Sequence, residues 1–142
     1  MGYIESARAE GAEIATGGKT VGDAGYFVEP TIIRDAKPNM RVVREEIFGP
    51  VLVASAVDDL DELAALANDT IYGLSASIWT RDISSAYRLA KKVRAGTVTI
   101  NSSLIAGPNI PFGGFKQSGW GRENGLEGIQ SFTELKTVIT AL

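Results

Sequence analysis

The stretch from Val51 to Asn101 decides the fold, because it contains VLVASAV at residues 51–57, LSASIWT at 74–80 and TVTIN at 97–101. Each of these segments is short and rich in apolar or β-branched residues. Strands that are buried on both faces of a parallel sheet have this composition. The sequence therefore predicts three short strands in this region.

The two connecting stretches carry the apolar period of an amphipathic helix. We expect the first helix to have Asp58 as its N-cap and to run to about Asn68. The second begins after Asp82 and ends before Gly96. Strands that alternate with helices form parallel sheets with right-handed crossovers. The predicted fold is thus α/β, with an open βαβαβ parallel sheet and flanking helices. The apolar positions are Leu60, Leu63, Ala64 and Ala67 in the first helix and Ile83, Ala86, Tyr87, Ala90 and Val93 in the second.

The segments on either side of this region are less regular. Residues 2–12 are expected to form a helix without an N-cap, and residues 39–46 a short helix that Gly49-Pro50 ends. A helix without a cap at the start of the chain suggests that a part of the protein upstream is missing. Residues 102–121 are rich in Gly, Pro and Ser and predict a long ordered loop, a feature that is usually functional. A helix over residues 122–132 and a strand over residues 133–140 follow.

Composition excludes several kinds of chemistry within the 142 residues. The chain has no Cys and no His, so it holds neither a thiolate nucleophile nor the usual general base at neutral pH. Its net charge is −3. Basic residues on the second helix are therefore better explained as a solvated face than as a nucleic-acid site, which needs a larger basic surplus. No segment has the length of a membrane span. We expect a cytoplasmic protein without metal, nucleic-acid or membrane partners.

Glu45 and Glu46 lie at the end of the predicted short helix, where the helix dipole disfavours carboxylates. The pair has a functional reading, because a broken local rule often marks a site. It also has a structural reading, in which the carboxylates are exposed and Arg41 or Arg44 compensates them from the preceding turn. The local pattern alone favours the structural reading.

The glycine-rich stretch Gly113–Gly125 (GGFKQSGWGRENG) fails two phosphate-binding templates. Trp120 stands where a P-loop needs Lys, and Asn124 stands where the dinucleotide fingerprint needs its third Gly. The glycines are better explained by a tightly folded loop. Phe112, Phe115 and Trp120 form either a small satellite core or one wall of an apolar pocket at the carboxyl ends of the strands.

Five motifs in this order resemble the carboxyl-terminal third of the aldehyde dehydrogenase superfamily, and the resemblance covers essentially the whole chain. Any one motif alone would be weak, whereas five at matching spacing are specific. The motifs are EEIFGPV (Glu45–Val51), NDTIYGL (Asn68–Leu74), GTVTIN (Gly96–Asn101), PFGGFKQSGWGREN (Pro111–Asn124) and FTELKTV (Phe132–Val138).

The resemblance implies roles for individual residues. In the family the second Glu of EEIFGP binds the nicotinamide ribose, which points to Glu46, and the Phe of that motif packs near the nicotinamide, which points to Phe48. Glu123 of GRE matches an acidic residue implicated in handling the catalytic proton. The aldehyde tunnel of the family is lined by an aromatic residue that matches Phe112 and by variable positions that match Ser102, Leu104 and Ala106.

The family's reaction needs a Cys nucleophile, a Glu base and a dinucleotide-binding fold that the resemblance places in a missing upstream part. We therefore expect residues 1–132 to be the carboxyl-terminal part of a catalytic domain and residues 133–142 to be an oligomerisation strand and C-terminus. The full-length parent would oxidise an aldehyde with NAD or NADP as a homo-oligomer. The chain alone is expected to be inactive and to bind no cofactor tightly.

Two other functions stay open. The chain would be a non-catalytic assembly module if residues 133–140 pair with an edge strand of another chain. A weaker alternative is a nucleotide-phosphate binder that uses residues 113–125.

Overall fold

The computed structural model describes residues 1–103 and 107–142 and divides into two compact units, residues 1–57 and 58–142. The helices of these described residues are all too short or too polar to cross a membrane.

The first unit packs two helices against a three-stranded sheet. The order in the sheet is β1-β2-β3, with β1 antiparallel to β2 and β2 parallel to β3. Its elements in chain order are α1 (Gly2–Ala9), β1 (Glu13–Thr16), β2 (Thr31–Arg34), α2 (Arg41–Arg44) and β3 (Val51–Ala54).

Alternation along β2 places its residues on two different faces of the sheet. Thr31 and Ile33 are buried, whereas Ile32 and Arg34 are exposed, as the two-residue period of a strand requires. The buried Thr31 hydroxyl accepts a hydrogen bond from Gly18 N and donates one to Glu29 O, so it carries no desolvation penalty. The core of this unit consists of Ala7, Ala12, Ile33, Met40 and Val42.

The second unit contains a parallel strand pair with helices on one face. The paired strands β4 and β5 are in register, with Ser75 opposite Thr97 and Ile78 opposite Ile100. A core of Ala64, Ile78, Ala86 and Leu89 joins this sheet to the two longer helices. The elements are α3 (Leu60–Asn68), β4 (Ser75–Ile78), α4 (Ile83–Lys92), β5 (Thr97–Ile100), a 3₁₀ helix (Lys116–Ser118) and α5 (Gly125–Gln130).

The predicted α/β class is confirmed, including a helix that connects two parallel strands. The strand pairing differs from the expected one. β3 pairs with β2, and the strands form two sheets in place of the expected single βαβαβ sheet. Thr31–Arg34 offers β3 a parallel partner over four consecutive residues. The sequence pattern marks both stretches as extended but does not specify which strands pair.

Several predicted boundaries shift for local reasons. The N-cap of α3 is Asp59, and the expected cap Asp58 is wrong. The Asp59 carboxylate accepts from Asp61 N and Glu62 N at 2.8 Å each. Bonds from the Glu62 and Asp61 amides lower the pKa of Asp59, so the cap is lost only as the pH falls through this lowered pKa. The last helix begins at Gly125 and not at residue 122, because Asn124 has φ +60° and ψ 173°, which an α-helix does not allow.

The expected strand over residues 133–140 is not formed in the isolated chain. The structure assigns no regular element to residues 133–142, and all ten residues are exposed. Leu135 and Ile139 have exposed fractions of 105% and 89%. A strand needs a hydrogen-bonded neighbour, so its pairing with another chain stays a prediction.

Ile32 and Ile33 are a matched pair for testing this packing. Ile33→Ala should lower the free energy of unfolding of the isolated chain by about 2–5 kcal/mol, because Ile33 is 0% exposed and its removal leaves a cavity. Ile32→Ala should cost clearly less, because Ile32 is 39% exposed. Urea unfolding measured by circular dichroism compares the two. Equal losses would contradict the assignment of the two faces of β2.

Candidate functional site

The segment after α2 presents an exposed carboxylate and an exposed aromatic ring. Glu46 is exposed, and Phe48 has an exposed fraction of 92%. Phe48 also has φ +50°, a conformation that is costly for a bulky residue. A strained backbone that holds a solvent-exposed aromatic ring is typical of a ligand-contacting segment, since such strain clusters at functional sites.

The backbone beside Glu46 is anchored by a contact that the sequence did not predict. Tyr3 donates a hydrogen bond from its hydroxyl to Glu45 Oε2 at 2.8 Å, and Arg41 Nε donates to the same oxygen at 3.0 Å. The Arg41 guanidinium also lies 4.2 Å from the centroid of the Tyr3 ring. The two bonds lower the pKa of Glu45, the Tyr3 bond being the larger cause.

This anchor explains one member of the acidic pair. Arg41 compensates Glu45, as the structural reading expected. The role of Glu46 in cofactor binding stays a prediction. Tyr3 and Glu45 are 42 residues apart, so no local sequence signal could have shown their contact.

In the second unit the glycine-rich loop is fastened to the turns that precede β4 and β5. The Gly73 carbonyl accepts hydrogen bonds from Gly96 N at 3.0 Å and from Phe115 N at 2.8 Å. Gly96 approaches the loop so closely that an added Cβ would lie 1.8 Å from Gly113 O. The three chain segments therefore meet backbone to backbone, which only glycine allows at residue 96.

Two side chains in the middle of the glycine-rich loop also attach it to the segment that follows α3. Lys116 Nζ donates to the carbonyl of Asn68, the last residue of α3, at 2.9 Å and to that of Thr70 at 3.1 Å. Ser118 Oγ accepts from Gly73 N at 3.1 Å. A cation at the C-terminal end of a helix is favourable because the last carbonyls have no helical partner. These bonds fix the loop that carries Phe112 and Glu123.

Phe112 and Glu123 lie next to each other across an antiparallel bridge. Phe112 N donates to Glu123 O at 2.8 Å, and Glu123 N donates to Phe112 O at 2.7 Å. Both residues line a cavity of about 340 Å³, whose other walls come from Leu74, the loop glycines and Arg122. The Arg122 guanidinium braces the loop by donating to Gly114 O at 2.9 Å and Gly121 O at 2.8 Å.

The structure brings only some of the predicted site residues together. Phe112 is partly buried against the cavity, as a pocket wall would be, whereas Trp120 is 94% exposed and belongs to no satellite core. Ser102 is partly buried, and its carbonyl accepts from Thr99 Oγ1 at 2.5 Å. Leu104 and Ala106 lie outside the described residues. Glu46 and Phe48 belong to the first unit.

Known proteins resemble this chain over nearly its whole length. A model of the aldehyde dehydrogenase family matches residues 1–138. The mitochondrial aldehyde dehydrogenase of Leishmania tarentolae is 50% identical over 97% of this chain, and the betaine aldehyde dehydrogenase of Brucella anthropi is 46% identical over 97%. The chain spans only 28% and 29% of the lengths of these two proteins.

Solved structures give the same result. An NAD⁺ complex of an aldehyde dehydrogenase from Bacillus cereus superimposes with a TM-score of 0.91 at 44% identity, over 96% of this chain and 28% of that one. An NAD-dependent aldehyde dehydrogenase from Sinorhizobium meliloti gives a TM-score of 0.90 at 40% identity, over 95% of this chain and 27% of that one. The chain belongs to the aldehyde dehydrogenase family.

Gly96 and Gly121 test whether close backbone approach fixes the loop. Gly96→Ala should destabilise the second unit by about 1–3 kcal/mol, as overpacking does, because the new methyl group meets Gly113 O at 1.8 Å. Gly121→Ala is the control, because nothing lies within 4 Å of its added Cβ. Amide hydrogen exchange at Phe115 and Gln117 reports the attachment of the loop. Unchanged protection in Gly96→Ala would contradict the close approach.

Proposed function

We propose that this chain is the carboxyl-terminal third of an NAD(P)-dependent aldehyde dehydrogenase, an enzyme that oxidises an aldehyde to a carboxylic acid. The observation that carries the proposal is the Glu46–Phe48 segment, where an exposed carboxylate and an exposed ring stand beside an anchored Glu45. Residues 1–132 then form part of the catalytic domain, and residues 133–142 form an oligomerisation strand and C-terminus.

The residues of the first unit suit a nicotinamide cofactor. Glu46 presents an exposed carboxylate group that can accept hydrogen bonds from the hydroxyls of a ribose. Phe48 offers an exposed flat face for the nicotinamide ring. NAD, which is present in the Bacillus cereus structure, supplies hydride acceptance when bound. Residues of this chain orient the ribose and the nicotinamide ring. Residues elsewhere in the full-length enzyme discriminate between NAD and NADP.

The residues of the second unit suit the aldehyde side of the reaction. Phe112 supplies an apolar wall to the cavity, and Ser102, Leu104 and Ala106 match sequence positions that shape the aldehyde tunnel in the family. Glu123 lines the same cavity with an exposed carboxylate. Its role is to accept and pass on a proton at the carboxylate oxygen. The identity of the aldehyde depends on the tunnel positions and on residues outside the chain.

In this proposal the chain supplies walls of the substrate cavity and contacts to the cofactor, but it does not supply the nucleophile. It contains no Cys, so no thiolate within it can attack the aldehyde, and the Glu base of the family matches none of its residues. We therefore propose that the 142-residue chain alone is inactive and binds no cofactor tightly.

The exposed C-terminal segment favours a second, compatible function in assembly. Leu135, Val138 and Ile139 all lie open to solvent in a segment without regular structure, and such a segment can add a strand to an exposed sheet edge. We propose that the parent forms a homo-oligomer through residues 133–140. We also propose a cytoplasmic location, although the relative from Leishmania tarentolae is mitochondrial.

A chimera tests the role of Glu46. The 142 residues replace the segment of the Bacillus cereus enzyme with which they superimpose, so that the enzyme supplies the remaining parts. Glu46→Gln in this chimera should raise the KM for NAD by about 10-fold to 100-fold, because a hydrogen bond to a charged group contributes about 1.5–3 kcal/mol.

Two controls accompany this measurement. Glu5→Gln makes the same change at an exposed position of α1 and should leave the KM for NAD unaltered. The 142-residue chain alone should form no NADH with any aldehyde. An unchanged KM in Glu46→Gln, or NADH formation at an enzyme-like rate by the chain alone, would contradict the proposal.

A further inference from the structure

The segment that follows α2 alternates between residues that are held and residues that are exposed. Glu45 leaves the helix in an extended conformation, with φ −114° and ψ 155°, and its carboxylate is bonded to Tyr3. Two residues further on, Ile47 packs against the core of the first unit. Glu46 and Phe48 follow these two held residues and are exposed. Both candidate cofactor residues are therefore presented to solvent by neighbours that are fixed.

The strained backbone of Phe48 needs support on both sides. A bulky residue keeps a φ of +50° only where the surrounding structure imposes it. On the carboxyl side, Thr31 N donates a hydrogen bond to Pro50 O at 2.8 Å, which ties the segment to β2. On the amino side, the Glu45 carboxylate with its bond from Tyr3 provides the corresponding tie to α1.

The two hydrogen bonds to the Glu45 carboxylate differ in what they connect. Arg41 stands four residues earlier, in α2 itself, so this ion pair can move together with the segment. Tyr3 lies 42 residues away on α1. That helix is fixed in the first unit, because Ile4 and Ala7 are buried. The bond from the Tyr3 hydroxyl thus joins the segment to a separate, firmly packed element.

We propose that Tyr3 is a positioning residue for the nicotinamide cofactor, and that its hydroxyl, acting through Glu45, orders Glu46 and Phe48 before the cofactor binds. The inference rests on the proposed function, because it takes the cofactor contacts of Glu46 and Phe48 from it. Tyr3 itself touches no cofactor. Without its hydroxyl, the binding of the cofactor has to supply the order of the segment, and affinity falls. At saturating cofactor the segment is ordered again, so kcat stays unchanged.

The first measurement uses the 142-residue chain without any cofactor. Tyr3→Phe removes the hydroxyl and keeps the ring beside Arg41. Nitrogen-15 relaxation gives the order parameters of the Glu46 and Phe48 amides. We expect about 0.85 in the unmodified chain, the value of a rigid backbone, and a fall toward about 0.6 in Tyr3→Phe. Tyr26→Phe is the matched control, because it removes the same hydroxyl in the same unit at a position with an exposed fraction of 103%, and it should change neither value.

The second measurement uses the Bacillus cereus chimera. Isothermal titration calorimetry gives the Kd for NAD, and steady-state kinetics gives kcat. Tyr3→Phe should raise the Kd by about 3-fold to 10-fold, the contribution of one hydrogen bond, and should leave kcat unchanged. Tyr26→Phe should alter neither quantity. A merely structural role of Tyr3 would instead lower the fraction of folded protein and leave the Kd of the folded fraction as it was.

A double-mutant cycle tests whether Tyr3 acts through Glu45. Glu45→Ala removes the acceptor of the Tyr3 bond and should itself raise the Kd for NAD. In that background Tyr3→Phe should add no further increase, because two residues that act through one bond are not additive. A full further increase would show that Tyr3 acts by another route and would overturn the inference.

Two other results would overturn the positioning role and leave the proposed function intact. One is an unchanged order parameter at Glu46 and Phe48 in Tyr3→Phe. The other is an unchanged Kd for NAD in Tyr3→Phe while Glu46→Gln raises it. If Glu46→Gln also leaves the Kd for NAD unchanged, the failure is that of the proposed function, and the positioning role fails with it.

Discussion

The close meeting of Gly73, Gly96 and Gly113 is the constraint on which the second unit depends. One carbonyl, that of Gly73, accepts from two amides, and Gly96 leaves no room for a side chain beside Gly113. A backbone contact of this kind orients the loop more firmly than apolar packing would, because hydrogen bonds fix direction as well as distance. Phe112 and Glu123 take their positions from it.

The two candidate sites share one physical principle. In each, a carboxylate with a proposed role, that of Glu46 or Glu123, is exposed, while residues near it in sequence are held by bonds to distant parts of the same unit. Tyr3 holds Glu45 beside Glu46, and Asn68 and Thr70 hold Lys116 between Phe112 and Glu123. Such anchoring pre-orders a binding segment before the ligand arrives, which reduces the entropy lost on binding. The chain is thus suited to position groups whose reactive partners come from elsewhere.

The sequence predicted the parts of the fold whose signals are local. The helix after Asp82 forms as expected because Asp82 caps it and its apolar positions follow the 3.6-residue period. The strand Glu13–Thr16 was not predicted, because a four-residue strand beside Gly17-Gly18 lacks a recognisable pattern. The pairing of β3 with β2 was not predicted either, since register depends on contacts between separated segments.

The roles of the site residues came from the family resemblance and not from their pattern. The exposure and strained backbone of Phe48 and the bridge between Phe112 and Glu123 became visible only in three dimensions. Both features depend on long-range backbone geometry, which residue type and spacing do not encode. Tyr3 shows the same limit, because a tyrosine in an amphipathic helix has no sequence signal for a carboxylate partner.

A crystal structure of the Bacillus cereus chimera with bound NAD would test the central claim most directly. The account predicts the Glu46 carboxylate within about 3 Å of a hydroxyl of the nicotinamide ribose, the distance of a hydrogen bond, and the Phe48 ring against the nicotinamide. NAD bound with its ribose hydroxyls on other residues, and with Glu46 and Phe48 still open to solvent, would contradict it.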